Sequence, residues 1–415
     1  MIIKASKVSN SAFIKSIFYL FILSALTLKV FNNLTLLLLS AIGLILWVKK
    51  DLNPFKDKNL RLLSILFISY FFVIMGSILL TDGFSSELKH LGRKIHFFLA
   101  PVIISSISYA EIEFDDFIKF CKLGLIATII PVSIQSFNSY TSDFSFETTS
   151  LSGMFNSNIF GDMVVVMIFI SLVKIYAEKN KELWLTLLAV TIGISTLVLS
   201  GSRGSYISFG VLAFLFLIFT YKHIYQSYVF SKKKFLIVFL MLISLIAAVS
   251  PIIEKKYTMT INNLNYWSSD KHNYSSSGIR LEMWNSALEA HKDAPWHGYG
   301  YRNENKAVSE YSDYHPEDIN KFTHLHNEYL TNLLSAGYIG LISVLSIILI
   351  PLYIFLKTRH NPKAYYFSLA GINLCLAYTC FGFTHIAFGE ENINALYIFL
   401  MSYLLPNAIK NYTNE

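Results

Sequence analysis

The chain has 415 residues, of which 54% are hydrophobic and only 15% charged, with a mean hydropathy of +0.49 and a net charge of +7. A soluble globular domain carries about 25% charged residues, so a soluble protein is excluded. The 34 Phe and 25 Tyr exclude a disordered polymer, and continuous apolar runs such as 60–80 exclude the alternating pattern of an outer-membrane barrel.

Twelve apolar stretches approach the roughly 20 residues that a helix needs to cross a bilayer: 16–31, 34–48, 60–80, 95–109, 117–137, 158–176, 183–200, 204–221, 234–252, 336–356, 365–383 and 391–408. The chain therefore reads as an all-α polytopic membrane protein with about 12 transmembrane helices. Residues 1–252 carry the first nine, 253–327 form one large external loop, and 328–415 carry the last three. The first span follows Lys4, Lys7 and Lys15 with no small-residue cleavage site, so it is expected to be an uncleaved signal anchor with a cytoplasmic amino terminus.

Most of the 34 basic residues lie in short loops and follow the positive-inside pattern, so the charge reports orientation and does not indicate nucleic acid. Lys49, Lys50, Lys56, Lys58 and Arg61 fall on the cytoplasmic side, as do Lys174, Lys179 and Lys181, then Lys222 with 232–234, then Lys357, Arg359 and Lys363. Two loops break the pattern. Residues 81–94 should be external yet hold Lys89, Arg93 and Lys94, and 110–116 should be internal yet hold Glu111, Glu113, Asp115 and Asp116. The external loop at 138–157 is rich in Ser and Thr and has no Lys or Arg. Cys121, Cys375 and Cys380 all lie in apolar runs and indicate neither a disulfide nor a zinc site.

Outside the membrane, residues 253–327 are the one segment large enough to hold a site. Within it a Ser-capped helix ends before Pro295, with Ile279, Met283, Trp284, Ala287 and Leu288 on one side; that face is expected to lie on the membrane surface. Three groups can carry chemistry. Arg203 sits at the external end of two spans among Ser200, Gly201, Ser202, Gly204 and Ser205, where small residues leave room for an anion that a guanidinium can grip with two parallel hydrogen bonds. Arg280 stands near the start of the surface helix, where the helix dipole already favours anions, and Trp284, Pro295, Gly298 and Gly300 follow it. His324, His326 and Asn327 stand at the mouth of the tenth span; imidazole can take a proton from a sugar hydroxyl, and Asn327 can orient it or the substrate. Each also has a plainer reading: an Arg in a tight turn, a solvated helix charge, and histidines at an interfacial helix start. The acidic stretch with Glu310, Asp313, His315, Glu317 and Asp318 has metal-ligand residue types but no repeating ligand spacing, and reads as a solvated loop. With no external Asp-x-Asp, arginine and not metal is expected to neutralise leaving-group charge.

Together these residues resemble the O-antigen ligase and O-antigen polymerase superfamily of bacterial envelope glycosyltransferases. In the ligases a His followed by Asn, Ser or Gln precedes, after nine residues, a Gly-x-x-Gly, matched here by His326, Asn327, Gly337 and Gly340. Arg203 with Gly204 fits the family's membrane-end arginine, and Arg280, Trp284, Pro295, Gly298 and Gly300 fit its loop motif. The resemblance implies a membrane-embedded (GT-C-like), metal-independent, inverting transferase without cofactor in the bacterial inner membrane, its site facing the periplasm. Its donor would be undecaprenyl-diphosphate-linked O-polysaccharide and its acceptor an outer-core sugar of lipid A-core. Arg203 and Arg280 would bind the diphosphate and His326 would be the base, with His324 as the alternative base or a substrate-binding residue beside Asn327. A polymerase would use the same donor but typically has two sizeable basic external loops, where this chain has one. A protein-directed transferase of the superfamily stays open, and a lipid-linked sugar transporter would call for related halves and midplane charges.

Overall fold

The apolar runs that are long and free of charge fold as the longest helices. The structure, a computed structural model, describes residues 2–50, 52–80, 90–140, 150–226 and 276–413, with four isolated positions between 254 and 262. The expected ninth span, 234–252, lies outside the described residues, as do Lys89, 232–234 and residues 141–149 of the loop at 138–157. Among the described residues every regular element is helical.

In chain order these are α1 (Ile2–Ser24), α2 (Lys29–Lys50), α3 (Lys58–Leu79), α4 (Ile95–Ala110), α5 (Phe114–Ala127), α6 (Ile129–Tyr140), α7 (Ser157–Leu172), α8 (Asn180–Ser200) and α9 (Arg203–Gln226). After the undescribed stretch come α10 (Ser276–Lys292), α11 (Glu304–Glu310), α12 (Pro316–Asn320), α13 (Glu328–Thr358), α14 (Tyr365–Thr384) and α15 (Glu391–Thr413). Seven stretches among the described residues are long and apolar enough to cross a membrane: those of α2, α3, α5 with α6, α8, α9, α13 and α14. The chain is thus a multi-pass membrane protein.

Two boundaries differ from expectation for clear reasons. The first span was expected over 16–31, but α1 ends at Ser24, whose hydroxyl bonds back to the Leu20 carbonyl, and a turn separates it from α2. The tenth span was expected from 336; helix begins at Glu328, but Ala336 and Gly337 have non-helical backbone angles, so a short segment before the kink precedes the apolar rod.

α7 is apolar and buried on every side, as a helix at the centre of a bundle must be. α15 is equally buried yet carries Asn392, Asn394 and Ser402, which lowers its apolarity. Two of these residues are tied in: the Asn32 amide donates to the Asn392 side chain at 3.1 Å, and Asn394 donates to the Arg93 carbonyl at 2.7 Å. Buried polar groups persist in such a core because they are hydrogen-bonded.

The acidic loop that broke the charge pattern has one of its carboxylates paired locally. At the end of the bundle shared by the start of α5, the end of α7 and the start of α14, Lys174 pairs with Asp115 and Lys122 pairs with Glu178. The second pair is 4% exposed on each side, and Glu178 also accepts from Thr186. The basic loop that broke the pattern lies at the opposite end, beside the candidate site.

Residues 276–334 fold over that same end with a small core of their own, in which Ile279, Met283 and Ala287 pack with Val308, Tyr314, Ile319, Leu325 and Leu334. The apolar face of α10 therefore does not lie on the membrane surface as expected: it is covered by α11, α12 and the start of α13, and Leu288 alone of that face stays well exposed.

Removing one member of a buried ion pair leaves an uncompensated charge, at a cost of about 3–5 kcal/mol, whereas replacing both with apolar groups is often neutral. Lys122→Met should therefore lower the thermal midpoint of the detergent-solubilised protein markedly, and Lys122→Met with Glu178→Leu should recover most of that loss. A double variant as unstable as the single one would show that the pair is not coupled.

Candidate active site

The turn between α8 and α9 is built by small residues. Gly201 ends α8 in the left-handed conformation, and Arg203 opens α9. The Ser202 hydroxyl donates to the Asn158 side chain at 2.9 Å, and Ser205 donates to Asp162 at 2.7 Å, which fixes the turn against α7. Gly204 lets the turn close on α14, since a Cβ there would sit 2.8 Å from Thr384 Oγ1.

Thr384 is also where Arg280 arrives. Its guanidinium Nη1 donates to the Thr384 carbonyl at 3.3 Å, and burial together with the charge of Arg203 pushes the Arg280 pKa down. The next residue, His385, leaves α14 in an extended conformation and meets the two predicted histidines. Ring centroids are 4.2 Å apart for His324 and His326, 5.7 Å for His324 and His385, and 6.2 Å for His326 and His385. Trp284 holds the strand between the first two by donating to the Leu325 carbonyl at 2.8 Å. Asn327 caps α13, its side-chain oxygen accepting from the amides of Tyr329 and Leu330 at 3.0 and 3.1 Å. It thus fixes the helix start that follows His326.

All three imidazoles are held well below the usual histidine range. Burial is the main cause; for His324 the next is the charge of Arg280, then of Arg302 and Arg93, and for His326 it is His324, then Arg280 and His385. His385 follows the same logic, with burial, His324 and Arg280 all lowering it. The trio is neutral at pH 7.

Two tautomers are then fixed. The His326 amide donates to His324 Nδ1 at 3.1 Å, and the Ile386 amide donates to His385 Nδ1. A neutral imidazole that accepts at Nδ1 carries its proton on Nε2, so His324 and His385 present N–H donors. His326 differs: its Nδ1 is buried without a hydrogen-bond partner, and its backbone sits at φ +52°, a strained angle for a non-glycine residue.

The nitrogens of the trio lie within 4.8 Å of one another, the spacing of a potential metal site. The donor chemistry opposes it. A metal needs a lone pair on Nε2, which His324 and His385 could offer only by giving up their backbone hydrogen bonds, and the neighbouring arginines repel a cation.

His324 and His385 also line a cavity of about 180 Å³. Its walls include Arg93 and Lys94, the basic residues that broke the charge pattern, and Arg302, Glu304, Glu328 and Glu390. Lys94 is buried, donates to Tyr70 at 3.1 Å and to the Phe388 carbonyl, and is pushed down to about 8 by burial in spite of Glu328 nearby. Glu328 accepts from the Phe388 amide at 2.9 Å and from Asn332 at 2.7 Å.

Residues 296–301 reach this cavity by crossing α13 at its kink. The amides of Tyr299 and Gly300 donate to the carbonyls of Leu334 and Ser335 at 2.7 and 3.0 Å. The approach requires glycine: Gly298 and Gly337 both have positive φ, and a Cβ on Gly337 would sit 2.0 Å from the Trp296 carbonyl oxygen. The motif glycines around 298 and 337 thus meet each other across the crossing.

The structure brings Arg203, Arg280, His324 and His326 to one place, around Thr384 and His385. His385, Arg302, Glu304 and Glu328 had not been singled out. The site is a cluster of neutral imidazoles among cationic groups, at one end of a helical membrane bundle. Residues 187–345 match the family model described as O-antigen ligase, a segment running from α8 through the crossing into α13. The chain is also 26% identical over 398 residues to an uncharacterized protein of Haemophilus influenzae, covering 92% of this chain and 94% of that protein. Over residues 187–345 the chain is thus similar to the O-antigen ligase family, whose members are membrane glycosyltransferase-like enzymes.

Gly337→Ala places a Cβ against the Trp296 carbonyl at a φ that only glycine adopts readily. The variant should insert in the membrane but lose protection of the Tyr299 and Gly300 amides in hydrogen exchange, together with activity. Unchanged exchange at those amides would show that the crossing tolerates a side chain.

Proposed function

We propose that the protein is an O-antigen ligase that transfers undecaprenyl-diphosphate-linked O-polysaccharide to an outer-core sugar of lipid A-core. The reaction is a metal-independent, inverting glycosyl transfer at the periplasmic face of the bacterial inner membrane. The observation that carries this reading is the convergence of two arginines and a neutral histidine trio on Thr384 and His385.

The donor diphosphate binds at Arg203 and Arg280, where planar guanidinium groups match phosphate oxygens and stabilise the charge that builds on the leaving group. The acceptor hydroxyl attacks the anomeric carbon from the opposite side. Its oxygen forms the new glycosidic bond as the bond from that carbon to the diphosphate oxygen breaks, and undecaprenyl diphosphate leaves with the bonding electrons. The hydroxyl proton passes to His326, the imidazole of the trio whose tautomer no backbone amide fixes. His324 and His385 offer Nε2–H donors to the reacting oxygens. The donor also prepares the base: its negative charge offsets the arginine charge that holds His326 down, so its binding raises the affinity of His326 for a proton.

The assay supplies purified full-length protein, lipid-linked O-polysaccharide and rough lipopolysaccharide, with EDTA present throughout. Product on lipid A-core supports the ligase; longer lipid-linked chains would make the protein a polymerase, and loss of turnover in EDTA restored by magnesium would overturn the metal-independent mechanism. His326→Ala should lower the transfer rate by at least about 100-fold, as expected for a lost general base, and leave donor affinity intact. Arg280→Lys should weaken donor binding by roughly 10-fold or more, the worth of a lost charge-assisted hydrogen bond. A His326→Ala enzyme near the wild-type rate would remove the base from this scheme.

The pH profile offers an independent check. A base held low by nearby cations is active above its pKa and fails as pH falls through it. Because the donor relieves the cationic field, the acid limb of kcat, which reports the donor complex, should lie at higher pH than the acid limb of kcat/KM for the donor. Coincident limbs would show that the diphosphate does not sit beside Arg280.

A further inference from the structure

The cavity beside His324 and His385 differs in character from the arginine side of the trio. Arg203 and Arg280 act on each other as like charges, which favours an anion between them. The cavity instead holds three cationic residues, Arg93, Lys94 and Arg302, and three carboxylates, Glu304, Glu328 and Glu390, so its charge cancels. Its charged groups are held in place within the protein: Arg93 faces Glu390 at 3.7 Å, Arg302 donates to His90 at 2.8 Å, and Lys94 and Glu328 meet at Tyr70 and Phe388. A balanced set of fixed donors and acceptors suits a neutral, hydroxyl-rich ligand. The size agrees: about 180 Å³ is below the roughly 300 Å³ at which drug-sized pockets begin, which leaves room for one sugar ring and not for a chain of them.

We propose that this cavity is the acceptor subsite, holding the single sugar unit whose hydroxyl is glycosylated. The inference rests on the glycosyl-transfer reading above and adds where the acceptor lies. His324 and His385 line the cavity and both feel the charge of Arg280, so a sugar seated there can present a hydroxyl to the trio while the diphosphate is held at the arginines. Arg302 is set at φ +66° on the segment that crosses α13, so the crossing carries a cavity residue at a strained backbone position.

The test uses the full-length protein with the same donor and acceptor, and measures donor Kd and acceptor KM separately. Thr323 is an exposed residue on the cavity wall, so Thr323→Trp fills the space without disturbing the core. It should abolish transfer to lipopolysaccharide and leave donor Kd unchanged. Arg302→Gln should raise acceptor KM by about tenfold, with donor Kd again unchanged. The inference is overturned if Thr323→Trp transfers with the wild-type acceptor KM, or if either substitution moves donor Kd instead. Failure of the underlying reading looks different, because wild-type protein would then yield no modified lipopolysaccharide. If wild type lengthens lipid-linked chains instead, the same two variants are scored with that acceptor by the same criterion.

Discussion

Where residues 296–301 pass over the kink of α13, the two backbones come so close that neither Gly298 nor Gly337 can carry a side chain, and the amides of Tyr299 and Gly300 find their acceptors on α13 itself. This crossing ties the small domain to the membrane bundle. It places Arg302 in the cavity, and the short helix before the kink starts directly after the histidine pair. A buried backbone that failed to find such partners would cost far more than the strain it stores. The spacing from His326 to Gly337 is thus set by the length of helix between the base and the crossing.

Charge divides the site into two halves. On one side cations stand together, and on the other they are matched by carboxylates. Between them the imidazoles are kept neutral by burial and by the arginines, which a base requires and which a resident cation would not tolerate. Buried charge of this kind is costly unless paired, so the pairing of Lys94 with Glu328 through Tyr70 and Phe388 also fixes the walls of the cavity.

The span pattern was legible because long apolar runs have few other solutions in a chain of this composition. Arg203, Arg280 and His326, which the structure brings together, could be singled out because their neighbours, small residues, a Trp and spaced glycines, mark unusual local backbone. His385 was not: it sits at the end of an apolar run, and nothing in FTHIAFGEEN shows that α14 ends beside the other two histidines. Arg93 and Lys94 did leave a signal, since they broke the charge rule for their loop; a cation kept on the unfavoured side is a sign of a local task. In the acidic loop at 110–116, Asp115 is matched by Lys174. The apolar face of α10 was misplaced because periodicity shows that a face is covered but not by what.

The contacts that close the cavity join residues far apart in the chain: Lys94 holds the Phe388 carbonyl, and Asn394 holds that of Arg93. A nascent chain emerging in order therefore has Arg203, Arg280, His324 and His326 synthesised before Thr384 and His385, against which they gather, exist. Until residues near 390 have been synthesised and threaded, His385 is absent and the cavity is open on one side. An unfinished chain lacks both the full imidazole cluster and a closed cavity. The cluster is thus complete only when the last two helices have joined the bundle.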